Sequence, residues 1–167
     1  MVPVELTWRE IQLAGAVTVS RITRHVAQGD QPKWGQPPDR FNSDDDWQGA
    51  IGECATAKYL GTYWAGVSPR TIDATIADVR AVSVRGHRLI LHPEDKDDLP
   101  MVLAIVERRV LPVVHLAGWI MGRDGKVPEF WTDPGTGRPA FFIPVNRLRP
   151  MDELKASRAE LLDRLCA

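Results

Sequence analysis

Three acidic residues and one cation have the types and spacing that phosphate chemistry uses. Asp78 and Arg80 stand two apart in an extended run. Side chains alternate along a strand, so both point to one face. Asp73 lies just upstream, at the end of a shorter extended piece, within reach of the same point. A hard cation such as Mg²⁺ or Mn²⁺ takes oxygen ligands, usually one or two carboxylates completed by waters and a phosphate oxygen, and Asp73 with Asp78 would suffice. Glu53 sits among Gly49, Ala50, Gly52, Ala55 and Ala57. Residues that small suit close packing of a helix on a sheet, which would carry Glu53 inward to hold a metal-bound water or a second ion.

The elements that must position these groups follow from periodicity. Thr7-Trp8-Arg9-Glu10 has the form of a capping box, and Trp8, Ile11, Ala14, Val17 and Ile22 then recur on one helical face until Gly29. Asp44-Asp45-Asp46 suits a second helix start, after which Trp47, Ile51, Cys54, Ala55 and Leu60 keep helical spacing up to Gly61. Beyond Gly66 the period becomes extended. Strands are predicted at 71–75, 78–84, 88–92, 101–106 and 112–121, with a hairpin turn at Arg85-Gly86-His87. They form a meander of three or four mainly antiparallel strands. A further extended piece, 140–144, precedes a helix over 152–165, while 29–43 and 122–139, rich in Pro and Gly, read as loops. Helix, helix, strands, helix makes a single α/β domain with helices packed on a sheet.

Glu53, Asp73 and the run Asp78-Val79-Arg80 follow in the order of the PD-(D/E)XK, or restriction-endonuclease-like, nuclease superfamily, which they resemble. The run Gly49-Ala50-Ile51-Gly52-Glu53-Cys54-Ala55 leading to Leu60-Gly61, the stretch 88–93 and Gly118-Trp119-Ile120 are similar to small nuclease-like proteins of phages and prophages. The resemblance covers residues 47–121. It implies a central mixed, largely antiparallel sheet flanked by helices, with one Mg²⁺ or Mn²⁺ site. Asp73, Asp78, Arg80 and Glu53 are the implied catalytic set, and Glu53, Asp73, Asp78 and the carbonyl of Val79 the implied metal ligands. The implied activity is endo- or exonucleolytic hydrolysis of nucleic acid, DNA above all. Two positions depart from the pattern: Asp78 stands where Glu is usual, and Arg80 where Lys is usual. A guanidinium stays protonated at any workable pH, so Arg80 can orient a water or stabilise charge but cannot act as a base. Arg80 therefore also suits a second reading, a catalytically inactive descendant of the fold that binds nucleic acid or a protein partner in a phage assembly. A third reading is an α/β domain whose acids never converge.

Composition limits the partners. The chain has 167 residues with 21 basic and 22 acidic side chains, a net charge of −1, which excludes a polycation that holds nucleic acid by bulk charge. Locally the balance differs. Residues 41–77 hold two basic and five acidic side chains, whereas 78–92 hold three basic and one acidic. Arg85, Arg88 and Arg123 are the expected nucleic-acid contacts, with Arg108, Arg109 and Lys126 completing a basic rim around an acidic centre. Glu94, Asp95, Asp97 and Asp98 lack the glycine and spacing of a calcium loop and read as a solvated turn. Of six tryptophans, Trp8, Trp47 and Trp119 fit apolar faces and are assigned to the core; Trp34, Trp64 and Trp131 fall in or beside loops. Cys54 and Cys166 match neither a disulfide framework nor a zinc site. No Gly-X-Ser-X-Gly elbow or phosphate-binding Gly-rich loop is present, and no apolar run is long enough for a membrane span. A soluble, cytoplasmic protein is expected.

Overall fold

The first helix begins where its capping chemistry dictates. Thr7 Oγ1 accepts a bond from the Glu10 amide at 3.2 Å, and Glu10 Oε2 accepts one from the Thr7 amide at 2.6 Å, so two otherwise orphaned N–H groups are satisfied. Helix α1 (Trp8–Gln28) ends at Gly29, whose φ of 64° supplies the left-handed cap. Helix α2 (Ser43–Leu60) carries Asp44, Asp45 and Asp46 in its first turn and ends at Gly61. The two helices are antiparallel: Glu10 pairs with Lys58 at 2.8 Å and Arg21 with Glu53 at 2.7 Å. The computed structural model describes residues 1–29, 43–64, 66, 76–135 and 137–165.

Four strands build the main sheet: β1 (Val2–Glu5), β2 (Asp78–Val82), β4 (Pro100–Ile105) and β5 (Val113–Met121), in the order β1-β5-β4-β2. β1 and β4 run antiparallel to β5, while β2 runs parallel to β4, so the sheet is mixed and β2 is an edge. The remaining strands, β3 (Leu89–Leu91), β6 (Trp131–Thr132) and β7 (Ala140–Ile143), form a second sheet in the order β3-β7-β6. The chain is therefore α/β. The antiparallel meander expected over 78–121 is corrected at two points. β3 leaves the main sheet to pair with β7, and β2 meets β4 in parallel, because the 83–99 excursion returns the chain to the end from which β2 began.

Strand alternation separates two apolar layers. Val102 and Ala104 on one face of β4, with Val106 just past its end, pack with Ile51, Ala55 and Leu60 of α2, whereas Met101 and Leu103 on the other face pack with Leu89, Leu91 and Ile143 of the small sheet. Helices thus flank the main sheet as expected, α2 covering one face, while the small sheet covers the other. A bulge at Ala117 and Gly118 shifts the β4·β5 register, so Val114 and Leu116, then Trp119 and Met121, reach the helical layer. Contact between α2 and the sheet is close at Gly52, where an added Cβ would lie 3.1 Å from Ala104 Cβ and 3.2 Å from Ala81 Cβ.

After β5 come a single helical turn, α3 (Gly122–Gly125), and at the end of the chain α4 (Met151–Ala156) and α5 (Arg158–Leu165). The helix expected over 152–165 is thus two helices broken at Ser157, and 122–139 contains α3, a 3₁₀ turn and β6 rather than loop alone. The strand expected at 71–75 lies outside the described residues. Trp119 is core and Trp47 packs against it, but Trp8 is exposed on the outer side of α1, contrary to its assignment. No helix among the described residues is long and apolar enough to cross a membrane.

Candidate functional site

Alternation along β2 decides which groups can meet. Val79 and Ala81 face α2, while Val82 packs on the small-sheet side, which places Asp78 and Arg80 on that second face. The backbone completes this geometry. Val82 O accepts from Val106 N at 2.8 Å, so in a parallel ladder the amides and carbonyls of residues 82, 80 and 78 turn toward β4. Those of Val79 and Ala81 turn away from β4, toward the side on which no strand among the described residues pairs.

Arg80 stands between two carboxylates. Its Nη2 lies 2.7 Å from Asp95 Oδ1 and 3.4 Å from Asp78 Oδ2. Asp95, read from sequence as part of a solvated turn, is instead a largely buried partner in this cluster. Its other oxygen accepts the His92 amide at 2.8 Å, and Lys126 Nζ staples the same turn by bonding Pro93 O at 2.9 Å, Asp95 O and Asp97 Oδ1 at 2.8 Å. Lys126 is thus committed to the turn and is not a free rim cation.

Glu53 comes from the opposite layer and is fully engaged. Arg21 donates to both of its oxygens, at 3.0 and 2.7 Å, and Trp64 Nε1 donates at 3.1 Å. A guanidinium facing a carboxylate through two parallel bonds is among the strongest pairings a protein makes. The Glu53 and Asp78 carboxylates remain within electrostatic reach of each other at the start of the edge strand. Burial raises the Asp78 pKa above its ordinary 3.8; Arg80 opposes the rise, Asp95 and Glu53 add to it, and Lys96 opposes it. The Asp78 side chain is nonetheless 42% exposed, so the group is crowded by protein but open to solvent. Burial likewise raises Asp46, whose neighbours include His25, Arg21, Asp45 and Glu53.

Of the expected metal ligands, Glu53 lies in the helical layer and Asp78 on the opposite face of β2, each beside a guanidinium, and Asp73 lies outside the described residues. Among the described residues no three His, Cys, Asp or Glu side chains form a ligand group. The expected basic rim divides between the two ends of the sheet. Arg85 pairs with Glu107 at 2.8 Å and approaches His115 Nε2 at 3.3 Å, at the end where Val82 pairs with Ile105. Asp78 pairs with Met101 at the other end, four residues or about 13 Å along the strand. Arg88, exposed just before β3, belongs to the Arg85 end. Arg123 belongs to the Asp78 end: its amide donates to Asp97 O at 3.0 Å, and its side chain is exposed.

Sequence reading missed Arg21, Asp95 and Lys96. Arg21 had a signal, because it falls seven residues after Ala14 and three after Thr18, on the face of α1 that is buried, and a cation there requires a counter-ion. Asp95 and Lys96 had none, since only the turn at 92–97 brings them to the face of β2 that carries Asp78 and Arg80. Comparison with known proteins finds no matching family model, no similar curated protein and no similar solved structure.

Proposed function

We propose that this domain binds nucleic acid through phosphate contacts at the Asp78 end of its sheet, without cleaving it. The observation that carries this reading is the position of Arg80, a permanent cation already seated between Asp78 and Asp95. A fixed guanidinium in that place offsets part of the charge of the two carboxylates that would otherwise repel a phosphate, and it cannot take a proton from a water. Arg21 does the same for Glu53. Exposed Lys96 and Arg123, set among the exposed acids Glu94, Asp97, Asp98 and Asp124, are the cations at this end that would contact phosphate, since a net charge of −1 gives no bulk attraction.

The test is a polarisation titration of labelled single- and double-stranded DNA across a salt series. Lys96→Ala with Arg123→Ala should weaken binding uniformly across sequences. Each lost phosphate contact should reduce the slope of log affinity against log salt by about 0.9 on duplex and about 0.7 on single strands. Absence of binding by the wild-type protein at low salt would dismiss the proposal.

A second reading, Mg²⁺- or Mn²⁺-dependent phosphodiester hydrolysis, is favoured by the solvent-open carboxylate of Asp78 beside the Val79 carbonyl, which turns away from β4. Asp78, Val79 and Asp73, with Glu53 beside them, would hold the ion, and its chemistry would be to polarise the phosphate and acidify a water. Arg80 would stabilise developing charge. Plasmid nicking in Mn²⁺ that disappears in Asp78→Ala would establish this reading in place of the first.

A further inference from the structure

Helix α1 lies outermost, packed on α2 through the stripe containing Ala14 and Thr18, both buried. A neighbouring stripe on its outer side carries Trp8, Gln12, Gly15, Val19, Ile22 and Val26. Those positions are spaced 4, 3, 4, 3 and 4, the interval of a coiled-coil seam. Trp8, Val19 and Val26 are 65%, 64% and 60% exposed. Among the exposed residues of α1 only Arg9 has a permanent charge, the rest being apolar or neutral polar apart from His25. A helix whose outer face meets only water carries charged side chains there. This one presents a seam that is apolar except at Gln12.

We propose that the seam is a self-association surface, in which α1 of one chain packs antiparallel on α1 of a second copy about a two-fold axis. The pattern fits itself. Antiparallel pairing sets Trp8 opposite Val26 of the partner, Gln12 opposite Ile22 and Gly15 opposite Val19. An added Cβ at Gly15 would meet nothing within 4 Å, so the position is an open notch that a valine can fill. Parallel pairing would set Gly15 on Gly15 and leave a void. At the flank, Arg9 falls beside the partner's Thr23, and no like charges oppose. The 21 residues of α1 extend about 31 Å at 1.5 Å per residue. A two-helix contact of that length is of the order of the roughly 800 Å² per partner that a stable interface buries. A two-fold contact of this kind is closed, so association stops at the dimer.

Sedimentation equilibrium of the full chain tests this directly. Wild-type protein should sediment at twice the 18.7 kDa of one chain at micromolar concentration. Val19→Glu should return it to the single-chain mass with an unchanged far-ultraviolet spectrum, since its side chain is exposed in the single chain. A second measurement fixes the orientation. In a Cys166→Ser background, Ala16→Cys, beside the two-fold axis, should form an interchain disulfide on mild oxidation, whereas Val26→Cys should not. A single-chain mass for wild type, including one that becomes larger only with a different protein, would overturn the proposal. So would a dimer that survives Val19→Glu, or cross-linking of Val26→Cys as readily as Ala16→Cys.

Discussion

The chemistry of the Asp78 cluster turns on one residue type, the arginine at position 80 that stands between two carboxylates. Arginine brings a planar, permanently charged fork that can bridge two acids, and here it bridges Asp78 to Asp95. The pairing does not fully compensate Asp78, because burial with Asp95 and Glu53 nearby keeps its carboxyl titrating above 3.8. The folded chain therefore holds that proton more tightly than the unfolded chain. Ionising Asp78 costs stability, a cost that is absent below about 3.8, grows as pH rises through the folded value and is complete above it. Asp78→Asn should accordingly gain on wild type between acid and neutral pH in urea melts, by less than about 1 kcal/mol because the group is part-exposed. Arg21 and Glu53 differ in that both are mostly covered, at 17% and 26% exposure. A double-mutant cycle of Arg21→Met and Glu53→Gln should give a coupling of about 1–3 kcal/mol, near the upper range for groups in one network. A coupling near zero would show that the pair is a surface contact. Asp78 and Arg80 were legible in sequence as a same-face pair because a strand has a period of two. Their partner Asp95 was not, since it stands 15 positions beyond Arg80 in the chain.

At the scale of elements, helix ends and strand positions were legible where local chemistry sets them. The capping box at Thr7, the acidic start of α2, its stop before Gly61 and five of the strands fall within two residues of expectation. The pairing was not legible, because register and direction depend on partners distant in sequence. β1 was missed for the same reason: Val2–Glu5 is too short to show a period, and antiparallel pairing with β5 makes it a strand. The small residues of α2 give the sharpest check on this packing. Gly49 and Gly52 lie one turn apart, but an added Cβ at Gly49 would meet nothing within 4 Å, whereas at Gly52 it would press on Ala104, Ala81 and Val79. Gly49→Ala should stabilise by up to about 1 kcal/mol through helix propensity alone. Gly52→Ala should lose more than that gain, a net cost of about 1–2 kcal/mol as helix and strands are forced apart. Equal melting temperatures for the two variants would refute the close contact of α2 with the sheet.

For the whole molecule, the near-zero net charge is resolved into ends. The Arg85 end ties its guanidinium to Glu107, while the Asp78 end holds Arg80 inside and leaves Lys96 and Arg123 outside. On the proposed function, a polyanion would be held at the second end by contacts to these two cations rather than by total charge. The central claim is that such a site holds nucleic acid and leaves it intact. It is tested most directly by agarose electrophoresis of supercoiled plasmid incubated with the protein in Mn²⁺, run before and after protease digestion. A retarded band that returns wholly to the supercoiled position after digestion is the result required of a non-cleaving binder. Nicked or linear plasmid that persists after digestion and disappears with Asp78→Ala would contradict it.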